Sequence, residues 1–121
     1  MKIIIAAGGT GGHLIPAQQL SDNLLKRKDI EITFVGNALS QNRNFKKEKY
    51  KYLDIPSSSF SKKNLFKSLF LLLKGFLKSL FILRKIKPGL IVGFGSYHTF
   101  PLMLAAKFFR KKYVFIYIFV L

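Results

Sequence analysis

Hydrophobic residues along the chain fall in short runs that alternate with longer stretches of helical periodicity. Lys2–Ala7 is an almost unbroken apolar run ended by Gly8-Gly9-Thr10-Gly11-Gly12, and it reads as a buried strand. From His13 to Lys28, Ile15, Ala17, Leu20, Leu24 and Leu25 recur at helical spacing, with Pro16 tolerable only near the helix start. Glu31–Val35 reads as a second strand closed by Gly36-Asn37. Residues 38–49 are polar and fit at most a short helix, Tyr50–Ile55 reads as a third strand, and Pro56-Ser57-Ser58-Ser59 as a loop.

Ser61–Lys85 has the length and pattern of a long helix, capped near Ser61 and stopped by Pro88-Gly89. At about 100° per residue, Leu65, Leu69, Leu72, Phe76, Leu80 and Leu83 share one face, which is the expected core stripe. Leu90-Ile91-Val92 reads as a fourth strand running into Gly93-Phe94-Gly95-Ser96, Pro101–Phe109 as a helix and Tyr113–Val120 as a fifth strand. Strands alternating with helices predict an α/β fold: a Rossmann-like parallel sheet with helices on both faces. With no internal repeat, low-complexity tract or linker, residues 1–121 read as one domain.

Composition narrows the chemistry. The chain has no cysteine, which removes disulfides, thiolate catalysis and cysteine-based metal sites, and no metal site is expected. Met1–Ile5 runs straight into the glycine cluster, so the start is expected to be a strand and not a signal peptide. The formal charge is +16. All five acids (Asp22, Asp29, Glu31, Glu48, Asp54) lie in the first 54 residues, and none follows Ile55. Such one-signed charge implies a polyanionic partner: nucleic acid, an anionic membrane surface or phosphates. A lysine-rich codon bias explains part of the excess but not the missing acids.

Lysine and phenylalanine are interleaved on the long helix. Lys63, Lys67, Phe70, Lys74, Lys78, Phe81 and Lys85 fall within an arc of about 80°, opposite the expected core stripe. Rings among ammonium groups suit an interfacial surface, the rings entering the headgroup boundary and the lysines meeting anionic lipid. Lysines at 67, 74 and 78 argue against a membrane span, which needs about 20 mainly apolar residues. Peripheral membrane binding is therefore expected.

The two glycine clusters follow strands one and four, where ligands of such sheets sit. Glycine lets backbone N–H groups approach an anion, and the next helix N-terminus adds partial positive charge, so the first loop suits a phosphate or diphosphate. A plain tight turn is the alternative. The common nucleotide signatures fail in detail. A dinucleotide fingerprint begun at Gly9 ends on Leu14 instead of glycine, and a P-loop would need lysine where Gly12 is followed by His13. His13 at a helix N-terminus is favoured as neutral imidazole, able to accept a proton or bond a phosphate oxygen, although a lone histidine is often structural.

Gly8-Gly9-Thr10-Gly11-Gly12-His13 followed by Pro16-Ala17 resembles the opening signature of the MurG family, glycosyltransferase family 28. The resemblance continues through Phe34-Val35-Gly36, Leu90–Gly95, Tyr97, Pro101 and Leu104-Ala105-Ala106. It implies one half of a GT-B fold, the N-terminal domain that binds a lipid-linked acceptor and the membrane. The family reaction it implies is transfer of GlcNAc from UDP-GlcNAc to lipid I, giving lipid II for peptidoglycan, at the cytoplasmic face of the bacterial inner membrane. By that resemblance Gly8, Gly9, Thr10, Gly11, Gly12 and His13 hold the acceptor diphosphate, with His13 the catalytic candidate, and Gly93, Gly95, Ser96 and Tyr97 form the second acceptor loop. No cofactor is implied, and UDP-GlcNAc is expected only with a C-terminal donor domain.

There are departures from the family pattern. Ser96 stands where a second glycine is usual, and apolar Tyr117–Leu121 stands where the family carries a His-Glu-Gln-Asn segment. The donor domain lies outside these 121 residues, so a truncated or frameshifted copy, inactive alone, is expected. A non-catalytic acceptor-binding and membrane-anchoring subunit of a split glycosyltransferase is an alternative. A basic nucleic-acid binder is another, disfavoured because no helix-turn-helix, zinc or RRM signature is present.

Overall fold

The computed structural model describes residues 1–7, 11–55, 64–94 and 100–116, excepting the side chains of 11–13, 100, 115 and 116. The elements are β1 (Lys2–Ala6), α1 (Gly11–Leu24), β2 (Glu31–Gly36), a 3-10 turn (Leu39–Gln41), β3 (Lys51–Asp54), α2 (Leu65–Ile86), β4 (Leu90–Phe94), α3 (Phe100–Phe108) and β5 (Tyr113–Ile116). Every strand expected from the sequence is present, each within a few residues of its expected limits. The loop at Pro56–Ser59, the cap at Ser61 and the continuation of β5 over Tyr117–Val120 lie outside the described residues.

All four strand pairings are parallel, in the order β3-β2-β1-β4-β5. Parallel strands need covering on both faces, which is why β1 is apolar at consecutive positions. Ile3 and Ile5 point into one core with Leu14 and Ala17 of α1, Phe34, Phe45 and Tyr50. Ile4 and Ala6 point into the other, with Ile82 and Leu83 of α2 and Leu102, Ala105 and Ala106 of α3. The sheet is thus the middle of three layers, α1 on one side and the α2–α3 pair on the other.

Both long helices are rotated from the faces expected of them. In α1 the buried line is Leu14, Ala17, Gln18 and Ser21, while Ile15 and Leu25 are exposed. Gln18 is buried because it holds the chain between the 3-10 turn and β3. Its Nε2 donates to the Leu14 and Asn44 carbonyls, and its Oε1 accepts from the Lys46 N–H. In α2, Leu72 and Leu83 are buried as expected and Phe76 and Leu80 half-buried, but Leu65 and Leu69 are exposed.

The buried line of α2 is Ser68, Leu72, Gly75, Ser79, Ile82 and Leu83. Three of these are small, and the Ser79 hydroxyl is satisfied by the Gly75 carbonyl at 2.7 Å. Small residues let α2 seat closely against α3 and the sheet, so the larger Leu65 and Leu69 turn outward. Neither helix has a glycine at its left-handed C-terminal position. Lys87 ends α2 at φ 54°, its N–H bonding the Leu83 carbonyl. Arg110 ends α3 at φ 54°, with Lys111 N–H on the Ala106 carbonyl.

Candidate functional site

The strand order reverses at one place. From β1 the chain steps outward to β2 and β3, then returns to the opposite side of β1 for β4 and β5. In an open parallel sheet such a reversal opens a crevice at the carboxyl ends of the two central strands. Ala6 and Gly93 are register partners there, so the carboxyl ends of β1 and β4 lie side by side. The two glycine clusters of the sequence fall at these strand ends.

Gly11, Gly12 and His13 form the first turn of α1, directly after the β1 loop. The first N–H groups of a helix have no intrahelical acceptor and present partial positive charge. Pro16, in the second turn, has no N–H to return to the Gly12 carbonyl. Gly93 was expected in a loop but lies within β4, paired to both Ala6 and Phe115, with the strand continuing to Phe94. Gly8, Gly9, Thr10, Gly95, Ser96 and Tyr97 lie outside the described residues, as does the His13 side chain.

The neighbouring strand ends are fixed by short polar contacts. Asp54, at the end of β3, accepts from the Leu39 N–H and the Ser40 hydroxyl, both at 2.7 Å, and so caps the 3-10 turn. Gly36, at the end of β2, passes so near Ala7 that a Cβ built on it would lie 1.9 Å from the Ala7 carbonyl oxygen. Beside α1, the Tyr50 hydroxyl donates to Asp22 Oδ1 at 2.5 Å, and Lys49 Nζ lies 3.2 Å from the same oxygen. The Tyr50 bond, more than Lys49, holds the Asp22 carboxyl below its ordinary value. Burial, then the Asp22 bond, pushes the Tyr50 hydroxyl well above its own.

The long helix divides into three sectors. Beside its buried line runs an exposed apolar sector of about 120°, made of Leu69, Leu73, Phe66, Leu77, Phe70 and Phe81. Phe66 is 89% exposed, Phe70 62% and Phe81 65%. Next to that sector lies a narrower stripe of Lys67, Lys74, Lys78 and Lys85, all exposed. Lys74 Nζ sits 5.7 Å from the centre of the Phe70 ring. Lys78 also donates to the Asp54 carbonyl at 2.7 Å, tying α2 to the end of β3. Lys63 lies outside the described residues.

The sequence singled out Phe70, Phe81 and the lysines but missed Phe66, Leu69, Leu73 and Leu77, which form most of the surface. A signal was available: α2 holds more apolar residues than one buried face accommodates. Phe108 of α3 extends the patch, 67% exposed and edge-on to Phe76 at 6.3 Å. Among the described residues no helix is long and apolar enough to cross a membrane, and no group of His, Cys, Asp or Glu could hold a metal ion.

The profile of the glycosyltransferase family 28 N-terminal domain matches residues 3–116. The chain belongs to this family. It is 44% identical over 113 residues to the UDP-N-acetylglucosamine–N-acetylmuramyl-(pentapeptide) pyrophosphoryl-undecaprenol N-acetylglucosamine transferase of Protochlamydia amoebophila. The match covers 90% of this chain and 30% of that protein. The enzyme of the same name from Chlamydia trachomatis serovar L2 is 41% identical over 87% of this chain and 30% of its own length. The crystal structure of Acinetobacter baumannii MurG superposes with a TM-score of 0.76 at 21% identity, over 96% of this chain and 33% of that one. The family 28 domain here therefore has the fold of one half of a GT-B glycosyltransferase, and the chain spans about a third of the length of its relatives.

Proposed function

We infer that this family 28 domain is the acceptor half of a glycosyltransferase that moves GlcNAc from UDP-GlcNAc to a lipid-linked diphosphate sugar, the lipid I of peptidoglycan synthesis. The observation that carries this is the pairing of Ala6 with Gly93, which sets the carboxyl ends of β1 and β4, each bearing a glycine cluster in the sequence, side by side at the switch point of the sheet. A diphosphate there would meet the N–H groups of the first turn of α1 and the positive end of that helix. In this reading the residues of both glycine clusters, from Gly8 to Gly12 and from Gly93 to Tyr97, bind the diphosphate. His13 takes the proton from the attacking hydroxyl while the donor sugar's diphosphate departs. Transfer needs acceptor and donor in one reactive geometry, so the 121 residues alone bind acceptor without turning it over.

The acceptor's lipid tail requires that the site lie close to a bilayer, and α2 supplies the means. It starts at the loop end of the sheet and presents leucine and phenylalanine flanked by lysine. Rings and leucines enter the boundary region while the lysines meet anionic headgroups, each contributing about 1 kcal/mol near such a surface. This is reversible, peripheral attachment, assigned by the family reading to the cytoplasmic face of the inner membrane. The continuous apolar sector favours lipid over nucleic acid, because a phosphate backbone gives no partner to Phe66, Leu73 or Leu77.

The test is a titration of the chain with a short-chain, lipid-linked diphosphate sugar, followed through backbone amide shifts. Saturable shifts at Gly11–Leu14, Ala6 and Gly93, absent with the same lipid lacking the diphosphate, are expected. Shifts confined to α2, equal for both lipids, would overturn the diphosphate assignment.

A further inference from the structure

The far end of α2 carries a feature that the membrane face alone does not explain. Leu83, Arg84, Lys87, Phe109 and Lys111 line an open hollow of about 290 Å³ where α2 and α3 both terminate. Leu83 is buried and Phe109 half-buried, so its floor is apolar, while Arg84 and Lys87 stand exposed at its rim. None of the five acids lines it, and among the described residues none of its three cations makes an ion pair. Cations at helix C-termini complement the helix dipole. That complement does not require an apolar floor, nor a lysine at Lys87, where a left-handed backbone favours glycine.

The hollow is continuous with the exposed apolar sector. Phe76 meets Phe108 edge-on, and Phe108 meets Phe109 at 5.5 Å, so an aromatic row runs from the middle of α2 to the floor of the hollow. Arg84 follows Leu73 and Leu77 along the same side of the helix. The hollow lies at the end of the sheet opposite the glycine loops, because α2 runs antiparallel to the strands it connects. A helix of 22 residues is about 33 Å long.

We propose that Arg84, Lys87 and Lys111 form a discrete subsite for the phosphate of a membrane phospholipid, whose acyl chains enter the same bilayer that receives the apolar sector of α2. A phosphodiester would receive the guanidinium and two ammonium groups at the rim, and the glycerol backbone would rest on Phe109 and Leu83. Charge complementarity and continuity with the apolar face point to a lipid over a free anion. The subsite rests on the membrane reading above and deepens it. One end of α2 would be pinned by a bound headgroup, holding the helix flat and the acceptor loops beside the bilayer at its other end.

The experiment uses the 121-residue chain with phosphatidylcholine–phosphatidylglycerol vesicles, and in parallel with monomeric dihexanoyl phosphatidylglycerol or inorganic phosphate. The triple variant Arg84→Gln, Lys87→Gln, Lys111→Gln is compared with Lys26→Gln, Arg27→Gln, Lys28→Gln, which removes the same charge beyond the end of α1. The subsite predicts about a 100-fold loss of vesicle affinity in the first triple and only a few-fold loss in the second. It also predicts saturable amide shifts at residues 83–87 and 109–112 of the unaltered chain with the short-chain lipid, but not with inorganic phosphate. Equal losses in the two triples would overturn the subsite while leaving membrane binding intact. Equal shifts with inorganic phosphate would make it a free-anion site and overturn the lipid assignment. No vesicle binding by the unaltered chain would overturn the membrane reading and the subsite together.

Discussion

Gly36 lies against the Ala7 carbonyl so closely that a Cβ on it would stand 1.9 Å from that oxygen. The contact locks the end of β2 onto the residue where β1 gives way to its glycine loop. The Ala7 N–H bonds the Val35 carbonyl, and the Gly36 carbonyl accepts from Ile55. The obstacle is backbone, so a rotamer change cannot relieve it. Gly36→Ala is expected to cost at least about 2 kcal/mol, read as a lower urea midpoint at unchanged slope. An unchanged midpoint would show that β1 and β2 do not approach this closely.

The Tyr50–Asp22 pair predicts a stability profile with two limbs. Asp22 titrates below its ordinary 3.8 when folded, so its contribution is present above that value and lost as pH falls through the folded one. Tyr50 titrates above its ordinary 10.0, so its contribution is complete below pH 10 and fades as pH rises further. Tyr50→Phe should flatten both limbs of a plot of urea midpoint against pH. Limbs of undiminished slope in the variant would mean that other groups set them.

The exposed apolar sector separates binding from folding. Phe66 and Phe70 touch solvent over most of their surface, so Phe66→Ala with Phe70→Ala should change stability by no more than about 0.5 kcal/mol. The same pair should weaken binding to anionic vesicles roughly 30-fold or more, since each inserted ring contributes over about 1 kcal/mol. Vesicle co-sedimentation measures one quantity and urea unfolding the other. Retained binding would show that the lysine stripe acts without ring insertion.

Lys87 offers a trade-off between the same two quantities. A lysine in the left-handed region is strained relative to glycine, so Lys87→Gly should stabilise the domain by up to about 1 kcal/mol. Loss of its ammonium group should at the same time lower vesicle affinity by several-fold. A variant both less stable and equally well bound would contradict the role given to this residue.

The sequence disclosed the strands because each rests on local chemistry: an apolar run, then residues that permit a turn. The strand order is not local, and only the structure shows that β1 and β4, the two strands followed by glycine clusters, are neighbours in the sheet. The faces of the helices were misread where tertiary packing overrode periodicity. Ser68, Gly75 and Ser79 lie beside the apolar stripe that periodicity picks out, but they are the surface on which α2 seats closely. Only the return of residues 44–46 past α1 explains the burial of Gln18. The hollow at the end of α2 was invisible for a similar reason, because Arg84 and Lys111 meet only when two helices end side by side.

The central claim is that these residues are the acceptor half of a GlcNAc transferase built on the β1–β4 switch point. The most direct measurement is GlcNAc transfer from UDP-GlcNAc to a lipid I analogue in anionic vesicles, with the 121-residue chain alone and with the donor half of a full-length relative added. Transfer only in the presence of the added half, abolished by His13→Ala without loss of vesicle binding, is the predicted result. Absence of transfer with the donor half present and vesicle binding intact, or transfer undiminished in His13→Ala, would contradict it.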